Sequence, residues 1–176
     1  MARGERVDDR SKGAESPPRY AREHSLPDHA YIPGRGRPAT RFEIPDGPEH
    51  GANAAASILA DTRFRLGVDL FNHRYYYEAH EAWESIWLHL PRRDAAREQL
   101  QGLIQAAAAL LKLDVDQPAP ARTIWARGRA RLVDAEGRPA KIALAPSLEL
   151  APLIATVDAA TQSGVAPSSS PRLVLR

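Results

Sequence analysis

Apolar residues recur three and four positions apart through the middle of the chain, between about residue 54 and residue 135. This spacing places them on one face of a helix. The pattern predicts four main helices, at about 54–72, 75–90, 93–116 and 118–135. Asn53 is the expected N-cap of the first helix, and a last short helix is predicted from Pro152 to Ala160. The fold class is therefore all-α, a compact helical bundle of four main helices plus a short C-terminal helix.

The expected core of this bundle lies on the inward faces of the second, third and fourth helices. The third helix is the most apolar part of the chain, which predicts a central position for it. The predicted core residues are Trp83, Ile86, Leu100, Leu103, Ile104, Leu110, Trp125 and Leu132.

Polar and proline-rich sequence flanks the predicted bundle. Residues 1–52 contain seven prolines, nine basic and nine acidic residues, and few aliphatic side chains. Such sequence buries too little apolar surface to offset the entropy lost on ordering. We therefore predict a Pro/Arg-rich, extended or disordered N-terminal segment (1–52), a helical bundle domain (53–163) and a flexible tail (164–176).

Smaller expectations follow for these flanking segments. Residues 1–25 are expected to stay mobile, whereas the apolar and turn-forming residues 26–36 could lie over the folded domain. Loop histidines such as His50 are expected to be solvated. Leu173–Leu175 is either frayed or a small docking tip.

Composition narrows the chemistry and the cellular setting. The chain has no cysteine, so disulfides and thiolate metal sites are excluded and any divalent metal would need nitrogen and oxygen ligands. The longest apolar run, Ala106–Leu111, is too short to span a bilayer, and the amino terminus lacks an apolar signal core. These features predict a cytoplasmic protein that does not enter a membrane.

Four arginines of the fourth helix raise the question of nucleic-acid binding. A helical wheel places Arg122 and Arg129 on one side of the apolar stripe, and Arg127 and Arg131 on the other. Arginines on both rims of a packed face extend along it toward solvent, whereas a phosphate-binding ridge would gather them on one side. Nucleic-acid binding is therefore not expected.

The second predicted helix concentrates aromatic and ionisable residues. His80 and Glu84 lie one turn apart just beyond the core-facing arc, beside Tyr77, so their side chains point the same way. Glu81, Glu78 and Ser85 should lie progressively further round toward solvent. The spacing of His80 and Glu84 suits two metal ligands, or a base and its orienting carboxylate. Neither the H-E-x-x-H motif nor the paired Glu-x-x-His motifs of di-iron bundles is present.

These residues define a site hypothesis. His80, Glu81 and Glu84 are the candidate catalytic residues, and His80 and Glu84 are the candidate metal ligands. The candidate ligand-binding residues are Tyr77, Glu78, Trp87, Gln101 and Gln105. The two glutamines share a stripe on the third helix and could reach the edge that carries His80 and Glu84.

Two functions remain open at this point. The polar centre could bind a metal ion or a small polar ligand, with hydrolase-like chemistry. Alternatively, the chain could be a non-catalytic interaction module that forms a homodimer, with the polar centre serving as a structural hydrogen-bond network. Whether the chain is an enzyme is left open.

Two sequence blocks resemble a known family. They read Tyr76-Tyr77-Glu78-Ala79-His80-Glu81-Ala82-Trp83-Glu84, with Trp87, and Leu100-Gln101-Gly102-Leu103-Ile104-Gln105-Ala106-Ala107. In order and spacing they resemble the family called domain of unknown function 309, small all-helical bacterial proteins, over about residues 57–135. The resemblance implies a helical bundle and no activity. It marks Glu78, His80, Glu81, Trp83, Glu84, Gln101, Gly102 and Gln105. Relatives tend to have glycine in the turn where this chain has Arg74.

Overall fold

The computed structural model describes residues 16–38, 42–51, 54–133, 137, 143–169 and 171–176. Within these ranges the chain forms six α-helices and one 3-10 turn, Ala145–Ser147, and no strand longer than an isolated bridge. The helices are α1 (Ala55–Ala60), α2 (Thr62–Asn72), α3 (Tyr76–Trp87), α4 (Ala95–Asp114), α5 (Pro118–Leu132) and α6 (Leu150–Ser163). The predicted all-α class is confirmed.

The first predicted helix, 54–72, is two helices. Asp61 separates them because its backbone is extended, with φ −68° and ψ 128°. The Asp61 side chain accepts a hydrogen bond of 2.7 Å from the Arg63 backbone N–H and so caps the start of α2. The prediction of one continuous helix was wrong because this internal aspartate acts as an N-cap. Asn53, the predicted cap, lies outside the described residues.

The other helices begin and end within a few residues of the predicted bounds. Asp94 caps α4 by accepting a hydrogen bond from the Ala96 N–H, and Arg97 donates to the carbonyl oxygens of Trp87, the last residue of α3, and of Leu90. A cation there satisfies carbonyls that have no partner within the helix. The last part of the fourth predicted helix, residues 134 and 135, lies outside the described residues.

The core contains every residue that the sequence analysis assigned to it. All eight predicted core side chains are buried, with Trp83 and Leu100 completely inaccessible. Helix α4 packs against both α3 and α5, and α3 also packs against α2. Helix α3, which carries the candidate site, is therefore held between α2 and α4.

We call residues 16–38 and 42–51 the N-terminal segment, and its first anchor is Asp69 of α2. The Asp69 carboxylate is fully buried. It pairs with the Arg19 guanidinium at 2.9 Å and accepts backbone N–H bonds from Tyr20 at 2.8 Å and Ala21 at 2.9 Å. Residues 19–21 therefore lie against α2, although the sequence analysis expected residues 1–25 to stay mobile. Residues 1–15 lie outside the described part.

The second anchor of the N-terminal segment is His50, which is buried rather than solvated as expected. Its Nε2 lies 2.8 Å from Asp61 Oδ2 and its Nδ1 lies 2.9 Å from Ser57 Oγ. Ser57 donates its own proton to the Ala54 carbonyl oxygen, so this serine, histidine and aspartate form a structural chain. Burial acts to raise the pKa of Asp61, but hydrogen bonds from Arg63 and His50 outweigh it and hold that pKa below its usual value.

The end of the chain also contacts the helices. Asn72 of α2 exchanges two hydrogen bonds with the backbone of Leu173, at 2.9 and 2.8 Å. Leu175 forms an antiparallel bridge with Leu148, and Leu173 is fully buried. Residues 171–176 thus dock on α2, which agrees with the docking alternative. The division of the chain at residues 52 and 163 stays a prediction.

Arg74, in the turn between α2 and α3, adopts the left-handed conformation that glycine favours, with φ 68°. Its guanidinium donates to the Pro167 carbonyl oxygen at 2.7 Å and to Asp114 at 3.0 Å. The side chain therefore compensates for a strained backbone that costs roughly 1–2 kcal/mol.

Substitution of Arg74 separates the cost of the backbone strain from the contribution of the side-chain hydrogen bonds. We expect Arg74→Ala to lower the free energy of unfolding by about 1 kcal/mol, because it keeps the strain and removes partly exposed hydrogen bonds. Arg74→Gly loses the same bonds but relieves the strain, so it should remain within about 0.5 kcal/mol of the parent. Urea unfolding measures both. An Arg74→Gly protein less stable than Arg74→Ala would show that the turn carries no strain.

Candidate functional site

Three ionisable side chains of α3 converge on one side of the helix. His80 Nδ1 lies 3.2 Å from Glu81 Oε1 and 4.0 Å from Glu84 Oε2. One ligand atom from each of the three residues lies within 4.8 Å of the others. We call His80, Glu81 and Glu84 the α3 cluster. The structure thus brings together all three candidate catalytic residues, including both candidate metal ligands.

The α3 cluster has donor atoms suited to a metal ion, and its side chains are free to move closer together. An imidazole nitrogen and two carboxylates suit divalent ions of intermediate hardness, such as zinc or manganese. Ligands at about 2.1 Å from an ion lie roughly 3–3.5 Å apart, so the three side chains would have to approach one another by about 1 Å. Their side chains are 29%, 38% and 40% exposed, so solvent leaves them free to make that movement.

Glu78, in the first turn of α3, differs from its expected position. The wheel placed it toward solvent, but it is only 4% exposed because the N-terminal segment covers it. Its Oε1 accepts a hydrogen bond of 2.8 Å from the Tyr31 backbone N–H, and its Oε2 has no hydrogen-bond partner among the described residues. Burial raises the pKa of Glu78, and the Tyr31 N–H opposes this only in part.

A cavity of about 220 Å³ lies between α3 and the N-terminal segment. From α3 its walls are Tyr77, Glu78 and Glu81, and from the N-terminal segment they are Tyr31, Pro38, Phe42 and Ile44. Glu81 belongs to both the cavity wall and the α3 cluster. The described residues that line the cavity include no lysine or arginine.

Tyr77 and Tyr31 form the aromatic part of the cavity wall. Their rings meet edge to face, with centroids 4.8 Å apart and planes at 84°. Burial and the nearby Glu81 carboxylate raise the pKa of the Tyr77 hydroxyl. Tyr77 therefore keeps its proton at neutral pH and is a hydrogen-bond donor.

The other candidate ligand-binding residues have partners elsewhere. Gln101 and Gln105 of α4 accept hydrogen bonds from Arg131 of α5, at 3.1 and 3.4 Å, instead of completing the α3 cluster. The Trp87 ring stacks against the Arg97 guanidinium, with 3.8 Å between the ring centroid and the guanidinium carbon Cζ. These oxygens and this ring face are occupied, and a ligand-binding role for them stays a prediction.

Two of the four arginines of α5 form ion pairs with neighbouring helices, as expected at the rim of a packed face. Arg129 pairs with Asp158 of α6 at 3.0 Å, and Arg131 pairs with Glu98 of α4 at 3.2 Å. The expectation that the chain does not bind nucleic acid is not tested by these contacts.

Over the described residues, no helix has both the length and the apolar character needed to cross a bilayer. Leu88 and Val165 are the exposed large hydrophobic residues of the same part of the chain. Homodimer formation and a cytoplasmic location stay predictions.

Sequence reasoning missed the half of the cavity that comes from the N-terminal segment. Phe42 and Ile44 follow no periodic pattern, and no local signal ties them to α3. The available signal was the apolar stretch around Tyr31, from which we predicted that residues 26–36 could lie over the bundle.

Comparisons with known proteins agree with the sequence blocks. No curated protein and no solved structure matches the chain. The family model of a domain of unknown function (DUF309) matches residues 64–124, which include most of α2, all of α3 and α4, and the first turns of α5. The predicted resemblance is therefore confirmed: this part of the chain, with the α3 cluster inside it, resembles the DUF309 family.

Proposed function

We propose that the chain binds a divalent metal ion through the α3 cluster. The observation that carries the proposal is the convergence of His80 Nδ1 with carboxylate oxygens of Glu81 and Glu84 within 4.8 Å. One helix supplies all three donors, so the site depends on a single rigid element.

The exposure of the cluster argues against a purely structural role. A hydrogen-bond network that fixes packing is valuable when it is buried, because its groups then have no water to bond. The three side chains are 29–40% exposed, so each could bond water instead. Exposed ion pairs contribute roughly 0–1 kcal/mol, and this is too little to explain why three ionisable groups gather here.

Three protein ligands would leave open coordination positions, as in catalytic zinc sites. A divalent ion held by His80, Glu81 and Glu84 would supply Lewis-acid chemistry and a nucleophile for hydrolysis. The cavity that shares Glu81 would place a small substrate beside the ion, with the Tyr77 hydroxyl as a donor. This hydrolase-like chemistry is the finer part of the proposal.

In this proposal the helices serve as the scaffold. The helical bundle domain is residues 53–163, with four main helical units, the first formed by α1 and α2 together, and a C-terminal helix. The Pro/Arg-rich extension before it supplies the outer wall of the cavity through its described residues. The protein acts in the cytoplasm.

Metal binding can be measured by isothermal titration of zinc and of manganese into protein purified without chelator or affinity nickel. We expect one ion per chain. An ion at 100 times its dissociation constant should stabilise the fold by about 2.7 kcal/mol, which corresponds to a rise in Tm of roughly 5–10 °C for a chain of this size.

His80→Ala and Glu84→Ala should each abolish uptake while lowering stability by less than about 1 kcal/mol. The matched controls are His89→Ala, an exposed histidine just beyond α3, and Glu98→Ala on α4, neither of which belongs to the cluster. Controls that lose uptake as strongly as the cluster variants would disprove the assignment. Absence of binding in the parent would leave the structural or homo-oligomeric alternative.

A further inference from the structure

The Glu78 side chain is a buried carboxylate that the fold satisfies only by half. It is 4% exposed, with Oε1 bonded to the Tyr31 N–H and Oε2 without a partner among the described residues. A buried polar atom without a partner is costly, and more so when it is charged. Glu78 lies in the first turn of α3, where a carboxylate is favourable to the helix dipole, but this preference is met by an exposed glutamate and does not require Oε2 to be buried without a partner.

The surroundings of Glu78 limit what could satisfy it. The cavity beside it has aromatic walls in Tyr31, Tyr77 and Phe42, an aliphatic wall in Ile44, and a second carboxylate in Glu81. Aromatic ring faces attract cations, and the two carboxylates, with no lysine or arginine among the described lining residues, repel anions. The lining therefore favours a positively charged guest with an apolar part.

We propose that this cavity binds the protonated amine of a small organic molecule, with its ammonium N–H groups donating to Glu78 and its carbon chain packed against Phe42 and Ile44. The missing hydrogen bond at Oε2 requires a donor, and this selects a primary or secondary ammonium over a quaternary one. The cavity of about 220 Å³ equals roughly seven water volumes at ~30 Å³ each, which suits a short alkylamine.

Binding requires a small local movement. Glu78 Oε2 is itself covered by neighbouring atoms, so the ammonium reaches it only after a local movement, which we assign to Tyr31 because its backbone N–H bonds the other carboxylate oxygen. Tyr31 is attached to α3 through one backbone hydrogen bond and one edge-to-face ring contact. Both contacts can be remade after the guest has entered, and the ring then covers the ammonium.

Titration of n-butylammonium into the purified full chain tests the proposal. Glu78→Gln is the decisive variant, since glutamine keeps the size of the side chain and an oxygen for the Tyr31 N–H but removes the charge. We expect n-butylammonium to bind the parent and to bind Glu78→Gln at least about tenfold more weakly, the loss typical of a charged hydrogen bond. Butyrate, its anionic counterpart, should show no binding.

A second variant separates this site from the metal site. Glu84 does not line the cavity, so Glu84→Gln should lose metal uptake and keep n-butylammonium, while Glu78→Gln should show the reverse. The proposal is overturned if n-butylammonium does not bind the parent, if Glu78→Gln binds it equally well, or if butyrate or tetramethylammonium binds as tightly.

Discussion

Replacement of Asp69 by alanine is expected to lower the free energy of unfolding by about 3–5 kcal/mol, because two backbone N–H groups and a partly buried guanidinium lose their acceptor. The Asp69 carboxylate is fully inaccessible and bonds the Arg19 guanidinium and the N–H groups of Tyr20 and Ala21. Without this carboxylate, both N–H groups lose their acceptor. The same change removes the polar contacts described above that join residues 19–21 to α2.

The loss should be visible both globally and locally. Urea unfolding gives the free energy, and amide hydrogen exchange should show that Tyr20 and Ala21 lose their protection. Glu149→Ala is the control, since its pair with Arg176 is exposed and should contribute roughly 0–1 kcal/mol. A change below about 1 kcal/mol for Asp69→Ala would mean that the N-terminal segment is not anchored on α2 by this residue.

Gly67→Ala is expected to produce the second large loss, about 2–3 kcal/mol, because it overfills the contact between α2 and α3. A Cβ atom at Gly67 would lie 2.3 Å from Trp83 Nε1, and the fully buried Trp83 cannot move aside without losing its 3.2 Å hydrogen bond to the Phe64 carbonyl oxygen. The better helix propensity of alanine returns only about 1 kcal/mol.

A double-mutant cycle measures this contact directly. Trp83→Phe removes Nε1, the atom nearest to the new methyl, so Gly67→Ala should cost less in the Trp83→Phe background than in the parent. Gly51→Ala is the control, because a Cβ there meets no atom within 4 Å. Equal costs in the two backgrounds would contradict the close approach of α2 and α3.

The parts of the fold that follow from local pattern were predictable. Helical periodicity identified α3, α4 and α5 and the buried faces that include Trp83, Leu100 and Trp125. The same periodicity placed His80 and Glu84 on one side of α3, where they are. A helix repeats its geometry every few residues, so a short stretch of sequence contains enough information to assign its faces.

The parts that depend on distant segments were not predictable in this way. Glu78 is buried because Tyr31 lies over it, and Gln101 is occupied because Arg131 of another helix reaches it. The break between α1 and α2 at Asp61 depends on the nearby Arg63 and also on His50. His50 belongs to a loop, and hydrophobic periodicity does not indicate where a loop lies. Each of these contacts depends on tertiary packing, which overrides the local structural preference of the sequence.

The central claim is that His80, Glu81 and Glu84 hold one metal ion. Crystals of the full chain grown with manganese, and diffraction data sensitive to its anomalous scattering, test it most directly. The account predicts one strong anomalous peak within roughly 2.0–2.3 Å of the His80 imidazole and of carboxylate oxygens of Glu81 and Glu84. Peaks only at other histidines or acids, with none at the α3 cluster, would contradict it.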